Sequence, residues 1–266
     1  MIKLIAADMD GTLLDSQLRL PEGFFDLVEE LYRRNIRFAV SSGRQYYNLR
    51  EIFEPVKDKV LFIAENGGVV FDGDTPLFSE LISKRDVRDI LALVRQHPGK
   101  FPLLCGVKSG YVQDDDPEFI SACNKCYARL DLVPEQLDVI EHDDFCKVAV
   151  FDTNAEFDTW PLLVEHLSDR FRVVLSGETW VDTMSLNNNK GVAIRKVQKL
   201  LNISHEETMA FGDYLNDLEM MVECYHSYAM ANAHPELKKV SRFTAPSNDD
   251  GGVATVIREL LEQPGY

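Results

Sequence analysis

The segment Asp8-Met9-Asp10-Gly11-Thr12 directly follows the apolar run Ile2-Lys3-Leu4-Ile5-Ala6-Ala7. An Ile/Leu/Ala-rich run closed by glycine reads as a buried parallel strand, and in open α/β sheets ligands gather beyond the carboxyl ends of such strands. Side chains alternate along a strand, so Asp8 and Asp10 are expected to point to one side before Gly11 turns the chain away. Acids this close repel unless a cation lies between them. A hard divalent ion such as Mg²⁺ takes oxygen ligands of this kind, completed by water and substrate phosphate. A calcium loop needs a further acid or amide at its fifth position and glycine at its sixth; Thr12 and Leu13 occupy those places, which excludes it.

The neighbouring elements show what must position these acids. Phe24, Leu27, Val28 and Leu31 recur at helical spacing, and Ile36-Arg37-Phe38-Ala39-Val40 then reads as a strand ending in Ser41-Ser42-Gly43-Arg44, a β-α-β unit. A helix over about 45–54 leads to the strand Val60-Leu61-Phe62-Ile63-Ala64 and the turn Glu65-Asn66-Gly67-Gly68. Val69-Val70-Phe71 and Pro76-Leu77-Phe78 flank the turn residues of a hairpin. The pattern then changes, with helices expected near 84–97, 116–129 and 155–169 and strands at 101–107, 146–151, 171–176 and 179–184. Ala193, Ile194, Val197, Leu200 and Leu201 restore a helical face, Thr208–Gly212 a strand and Ser227–Met230 another. The expected fold class is therefore α/β, a doubly wound, Rossmann-like parallel-sheet core from residues 1–82 and 186–266. An α+β domain, residues 83–185, is inserted and is expected over the strand tips.

Bulk properties narrow the functions. A chain of 266 residues can form two cores. With 28 basic against 44 acidic residues, the net charge of −16 repels polyphosphate backbones and anionic membrane surfaces, so neither nucleic acid nor membrane is an expected partner. No apolar stretch approaches membrane-spanning length, and the first residues lack the layout of a signal peptide, so a cytoplasmic location is expected. The five cysteines are an odd number and are expected to be reduced. Cys123-Asn-Lys-Cys126 has redox or zinc spacing, but it falls within an expected helix and no second pair follows. The six histidines are scattered, and Asp114-Asp115-Asp116 reads as a solvated turn before a helix at Pro117.

Polar groups therefore follow four segments of the core: Asp8 and Asp10; Ser42, Gly43 and Arg44; Lys190 at a helix start; and Asp213, Asn216 and Asp217 after Gly212. In order and spacing these resemble the four motifs of the haloacid-dehalogenase superfamily of phosphohydrolases. They are Asp8-Met9-Asp10-Gly11-Thr12, Ser42-Gly43-Arg44, Lys190-Gly191 and Gly212-Asp213-Tyr214-Leu215-Asn216-Asp217. Glu65-Asn66-Gly67, Ala229-Met230-Ala231-Asn232-Ala233 and Gly251-Gly252-Val253 fit its Cof-type branch, which has a large α/β cap.

The resemblance implies Mg²⁺-dependent hydrolysis of phosphate monoesters. Such esters are inert because their charge repels nucleophiles, so catalysis rests on positioning and neutralisation. Asp8 is the implied nucleophile, forming an aspartyl phosphate, and Asp10 the general acid and base. Ser42, Gly43, Lys190 and Asn216 are the implied phosphate ligands. The metal is implied to lie on the Asp8 side chain, the Asp10 backbone carbonyl and the Asp213 side chain, with Asp217 in support behind them. The Asn187-Asn188-Asn189 run departs from the more apolar approach expected before Lys190, and Arg44 receives no catalytic role. In the inserted domain Tyr111, Trp180 and Asp182 are expected in core packing ahead of ligand contact. The implied partners are small phosphorylated metabolites, hexose or pentose phosphates first and flavin mononucleotide or pyridoxal phosphate behind them; Tyr46-Tyr47 serves only to rank the sugars first. A phosphoaccepting signalling module and a phosphomutase returning the phosphoryl group to a second hydroxyl remain as alternatives, whereas Asp10 and Asp213 argue against a metal-free enzyme attacking carbon.

Overall fold

In the computed structural model, which describes residues 1–266, the first apolar run forms β1 (Leu4–Ala7), buried throughout. Helix α1 (Phe24–Arg33) buries Phe24, Leu27, Val28 and Leu31 on one face. It is followed by β2 (Arg37–Ser41), α2 (Tyr46–Ile52), β3 (Val60–Ala64), β4 (Val69–Asp72) and β5 (Thr75–Ser79). Next come α3 (Lys84–Val94), β6 (Phe101–Gly106), β7 (Gly110–Val112), α4 (Pro117–Cys126), β8 (Leu130–Leu132) and α5 (Gln136–Val139). They lead to β9 (Phe145–Phe151), α6 (Thr159–Leu167), β10 (Phe171–Leu175) and β11 (Trp180–Ser185). The chain continues through α7 (Lys190–Leu201), β12 (Thr208–Gly212), α8 (Leu218–Val222), β13 (His226–Met230), α9 (Pro235–Val240), β14 (Phe243–Ala245) and α10 (Gly252–Glu262).

The chain divides into two units, the first made of Met1–Ser42, Leu49–Phe78 and Asn189–Tyr266. Its eight-stranded sheet runs β14-β13-β12-β1-β2-β3-β4-β5, parallel from β14 to β3 and antiparallel where β4 joins β3. The chain builds one half outward from β1 and later returns to build the other, so β1 lies at the point where the winding reverses. Ala7 pairs with Phe211 on one side and Val40 on the other, which brings the ends of β12, β1 and β2 to one edge. The rings of Phe24 and Phe38 lie 5.3 Å apart, and Phe53 stands 6.2 Å from both Phe38 and Phe62.

The second unit, Gly43–Asn48 and Ser79–Asn188, holds a six-stranded sheet ordered β10-β11-β9-β6-β7-β8, antiparallel except where β8 runs parallel to β7. Alternation along β9 serves both faces. Val148 and Val150 pack with Val87, Ile90 and Leu163 from α3 and α6, while Ala149 and Phe151 pack with Phe119 and Cys123 from α4. Gly43–Asn48 belong to this unit, although the sequence reading puts them in the first. Gln45 explains why: its Nε2 donates to Arg129 O at 2.9 Å, and its Oε1 accepts from the N–H groups of Ala128 and Arg129 at 3.1 and 2.9 Å. The Arg129 guanidinium also lies 3.5 Å above the Tyr47 ring.

Those bonds also end α4 at Cys126 rather than near residue 129. Helix α6 begins at Thr159 rather than near 155 because Asp152 folds the preceding turn, accepting from Asn154 N at 2.9 Å and Thr159 Oγ1 at 2.6 Å. The elements β7, β8, β14, α5, α8, α9 and α10 are absent from the sequence reading; all but the eleven-residue α10 have six residues or fewer, too few to show a period. Asp116 caps α4 through Glu118 N and Phe119 N, and none of the five cysteines forms a disulfide. Tyr111 donates to Asp143 at 3.0 Å, Trp180 packs on Phe119 and Phe151, and Asp182 accepts from Lys147 at 2.9 Å. No helix is long and apolar enough to cross a membrane.

Phe38 is 1 % exposed and meets both Phe24 and Phe53. Phe38→Ala is expected to lower the unfolding free energy by about 3–5 kcal/mol, read from urea denaturation. A loss below about 1 kcal/mol would contradict this account of the core.

Candidate active site

Asp8 is the first residue beyond β1, and its N–H continues the ladder onto Phe211 O at 3.0 Å. Its carboxylate is buried and accepts from Lys190 Nζ at 2.5 Å through Oδ1. Lys190, the first residue of α7 and fully buried, also donates to Asp217 Oδ1 at 2.7 Å. The other Asp217 oxygen accepts from the N–H groups of Asp213 and Tyr214 at 3.0 and 3.3 Å. Asp217 thereby anchors the turn that presents Asp213. A side chain at Gly212 would bring its Cβ to 2.6 Å from Asp217 Oδ2, so glycine is required there.

Thr12 Oγ1 donates to Asp213 Oδ1 at 2.8 Å, and Gly11, at φ +78°, lets the loop lie directly on the same carboxylate, where any Cβ would collide. Carboxylate oxygens of Asp8, Asp213 and Asp217 all lie within 4.8 Å of one another. Asp10 is not placed by strand alternation. β1 stops at Ala7, and Asp10 lies exposed in a turn whose N–H groups at Leu13 and Leu14 donate to Met9 O at 3.0 and 2.8 Å. Alternation holds only within a strand; beyond its end the turn decides where the side chain goes.

Ser42, buried at the end of β2, donates its N–H to Ile63 O at 2.9 Å, and its carbonyl accepts from Asn66 N at 2.9 Å. Asn66 Oδ1 in turn accepts from Asn216 Nδ2 at 3.3 Å, so the ends of β2, β3 and β12 are linked. Gly43 is half-buried, with its carbonyl 3.4 Å from Lys147 Nζ. Arg44 is buried, donating to Asn48 Oδ1 at 3.1 Å and Lys125 O at 3.3 Å. The polar run before Lys190 is a turn and a cap: Asn188 N donates to Ser185 O at 2.9 Å, and Asn189 Oδ1 accepts from Val192 N at 2.8 Å. The sequence reading gives no role to Thr12 or Asn66. The signal for Asn66 is an Asn-Gly pair just after a strand, realised as successive left-handed residues Glu65 (φ +52°) and Asn66 (φ +57°).

Two carboxylates, Asp8 and Asp217, thus share one ammonium, with a third, Asp213, beside them. Burial, with Asp217 and Asp213 as like-charged neighbours, raises the Asp8 pKa well above the usual carboxylate range against the pull of Lys190. Burial and then Asp217 push Asp213 up to about 6, although the Thr12 hydrogen bond favours its anion. Burial disfavours the Lys190 ammonium, but Asp217 and Asp8 outweigh it and hold its pKa above the ordinary lysine range. An oxygen-only donor set with surplus negative charge fits a hard divalent cation. Both oxygens of Asp217 are engaged within the protein, whereas Asp8 and Asp213 each accept a side-chain hydrogen bond through one oxygen. Asp8 and Asp213 are therefore the carboxylates suited to hold such an ion, with Asp217 behind them.

A family model described as haloacid dehalogenase-like hydrolase matches residues 5–257. The chain is 32 % identical to the 5-amino-6-(5-phospho-D-ribitylamino)uracil phosphatase YbjI of Escherichia coli K12, over 98 % of this chain and 97 % of that one. It is 28 % identical to phosphatase YwpJ of Bacillus subtilis, over 98 % and 100 %. The crystal structure of SMU.1108c from Streptococcus mutans superimposes with a TM-score of 0.90 at 29 % identity, covering 99 % of this chain and all of that one.

Lys190→Met removes the one cation between Asp8 and Asp217 and is expected to destabilise the metal-free protein by about 3–5 kcal/mol at neutral pH. Without the ammonium the folded-state pKa of Asp8 rises further above its unfolded value. The deficit is therefore full above the raised pKa of Asp8 and shrinks as acid protonates that carboxylate. Denaturation in chelator at several pH values measures this, and a deficit independent of pH would contradict the charge account.

Proposed function

Because the chain belongs to the haloacid dehalogenase-like hydrolase family, we propose that this phosphatase cleaves phosphate monoesters of small metabolites through an aspartyl phosphate on Asp8, with Mg²⁺ as its cation. The observation that carries this reading is the buried Lys190 ammonium bonded to both Asp8 and Asp217, with Asp213 beside them. It holds one oxygen of the Asp8 carboxylate in a fixed direction, which is what in-line attack on phosphorus requires.

The Asp8 and Asp213 carboxylates and the Asp10 carbonyl are the groups proposed to hold the ion. When bound, it neutralises charge on the phosphoryl oxygens. Asp8 attacks phosphorus while the Asp10 carboxylic acid gives its proton to the departing alkoxide. Asp10, now a carboxylate, takes a proton from water as that water attacks the acyl phosphate. Phosphate leaves and Asp8 is restored. Ser42 through its hydroxyl, Gly43 through its N–H, Asn216 and Lys190 are proposed to bind the phosphoryl oxygens.

The substrate class is a phosphorylated sugar or sugar alcohol. Supporting it is the name of the Escherichia coli relative, whose substrate carries its phosphate on a ribityl chain. The five cysteines, all without disulfides, suit a reducing cytoplasm.

Asp8→Asn is expected to lower kcat by about 10³-fold or more while the protein stays folded; wild-type turnover in that variant would refute the nucleophile. Phosphate release should depend on Mg²⁺, cease in chelator, and be faster from pentose and hexose phosphates than from flavin mononucleotide or pyridoxal phosphate. A lasting phosphoprotein without release would favour a signalling role, and return of the phosphoryl group to a second hydroxyl would favour a mutase.

A further inference from the structure

The segment Ala229–Ala233 fits the family pattern, yet none of its side chains enters the chemistry above. Asn232, in the turn after β13, donates from Nδ2 to Gly11 O at 2.8 Å, across 221 positions of sequence. Its Oδ1 accepts from Asn248 N at 3.2 Å and Ser247 Oγ at 3.4 Å. A backbone N–H only donates and a carbonyl only accepts, so the amide has one orientation: oxygen toward Asn248, NH₂ toward Gly11. Asn248, itself buried, donates from Nδ2 to Leu14 O at 2.9 Å. One relay therefore grips the Gly11–Leu14 loop at both ends.

The same turn reaches the neighbouring acid. His234 N donates to Asp213 O at 2.7 Å. The Gly11 carbonyl that Asn232 holds belongs to the Gly11–Thr12 peptide, whose Thr12 hydroxyl donates to the Asp213 carboxylate and whose Gly11 has room for no Cβ beside that carboxylate. Gly11 also directly follows Asp10.

We propose that Asn232 is a positioning residue: acting through the Gly11 carbonyl, with Asn248 fixing its amide, it sets where the Asp10 carboxyl and the Thr12 hydroxyl stand. The chemical consequence rests on the reading of Asp10 as acid and base. A loop released at Gly11 keeps Asp8 and Lys190 in place but delivers the Asp10 proton less well, so the loss should grow with the basicity of the leaving group.

The test uses the full chain with Mg²⁺, the variants Asn232→Ala and Asn232→Asp, an aryl phosphate and an alkyl phosphate, and amide hydrogen exchange across residues 9–15. The aspartate keeps an acceptor toward Asn248 but has no donor for Gly11. Both variants should lose about 10- to 100-fold in kcat on the alkyl phosphate and distinctly less on the aryl phosphate, with KM within about twofold. Exchange over residues 9–15 should quicken while the sheet keeps its protection. Wild-type kcat, equal losses on both substrates, or unchanged exchange in that loop would overturn the proposal. Should the wild-type protein release no phosphate, the phosphatase chemistry fails, and the exchange result alone then decides whether Asn232 holds the loop.

Discussion

The first unit is organised around a fully buried lysine ammonium held between two carboxylates. An unpaired ammonium at Lys190 would be driven to lose its charge, and an unpaired Asp8 or Asp217 would be driven to gain a proton. Together they satisfy one another, and the two acids then diverge in use. Asp217 turns its second oxygen to the Asp213 and Tyr214 amides and becomes part of the framework. Asp8 stands at the end of a strand, directed by the lysine on one oxygen only.

That arrangement needs three distant pieces of chain at one place, and the sheet supplies them. β1 lies between β12 and β2 in parallel register, so residues following Ala7, Val40 and Phe211 emerge along a single edge. Helix α7 begins under that edge because Asn189 caps it, which makes Lys190 its first residue. The loops between these points are made thin by Gly11 and Gly212, each lying against a carboxylate that a side chain would displace. The turn after β13 adds a further layer by holding the Gly11 carbonyl and the Asp213 carbonyl at once.

The second unit solves a different problem with the same means. Its central strand β9 gives apolar side chains to both faces, one covered by α3 and α6, the other by α4. Lys147 is buried in this sheet and is compensated by Asp182, which Ser176 also contacts at 2.8 Å. Gln45 satisfies the amides and carbonyl of residues 128–129, and for that reason a short stretch following Ser42 packs with this unit.

Much of this was legible in the amino-acid sequence because it is local. Apolar runs ending in Asp, Ser or Gly announced the strand tips, helical spacing announced α1 and α7, and the order of the motifs identified Asp8, Asp10, Ser42, Lys190 and Asp213 as site candidates. Other features were hidden because their partners lie far along the chain: Thr12 on Asp213 across 201 positions, Asn216 on Asn66 across 150, Asn232 on Gly11 across 221. Asp10 lies past the last residue of β1, so strand alternation does not place it. The order of four short motifs, through their resemblance to a known family, pointed to the kind of reaction, and short-range periodicity, a property of neighbours in sequence, determined the elements that bear its groups. Which acid faces the lysine, which one anchors a turn and which asparagine holds the loop were decided only by the order and register of the parallel strands, since that order alone brings hydrogen-bonding groups from opposite ends of the chain within 3 Å.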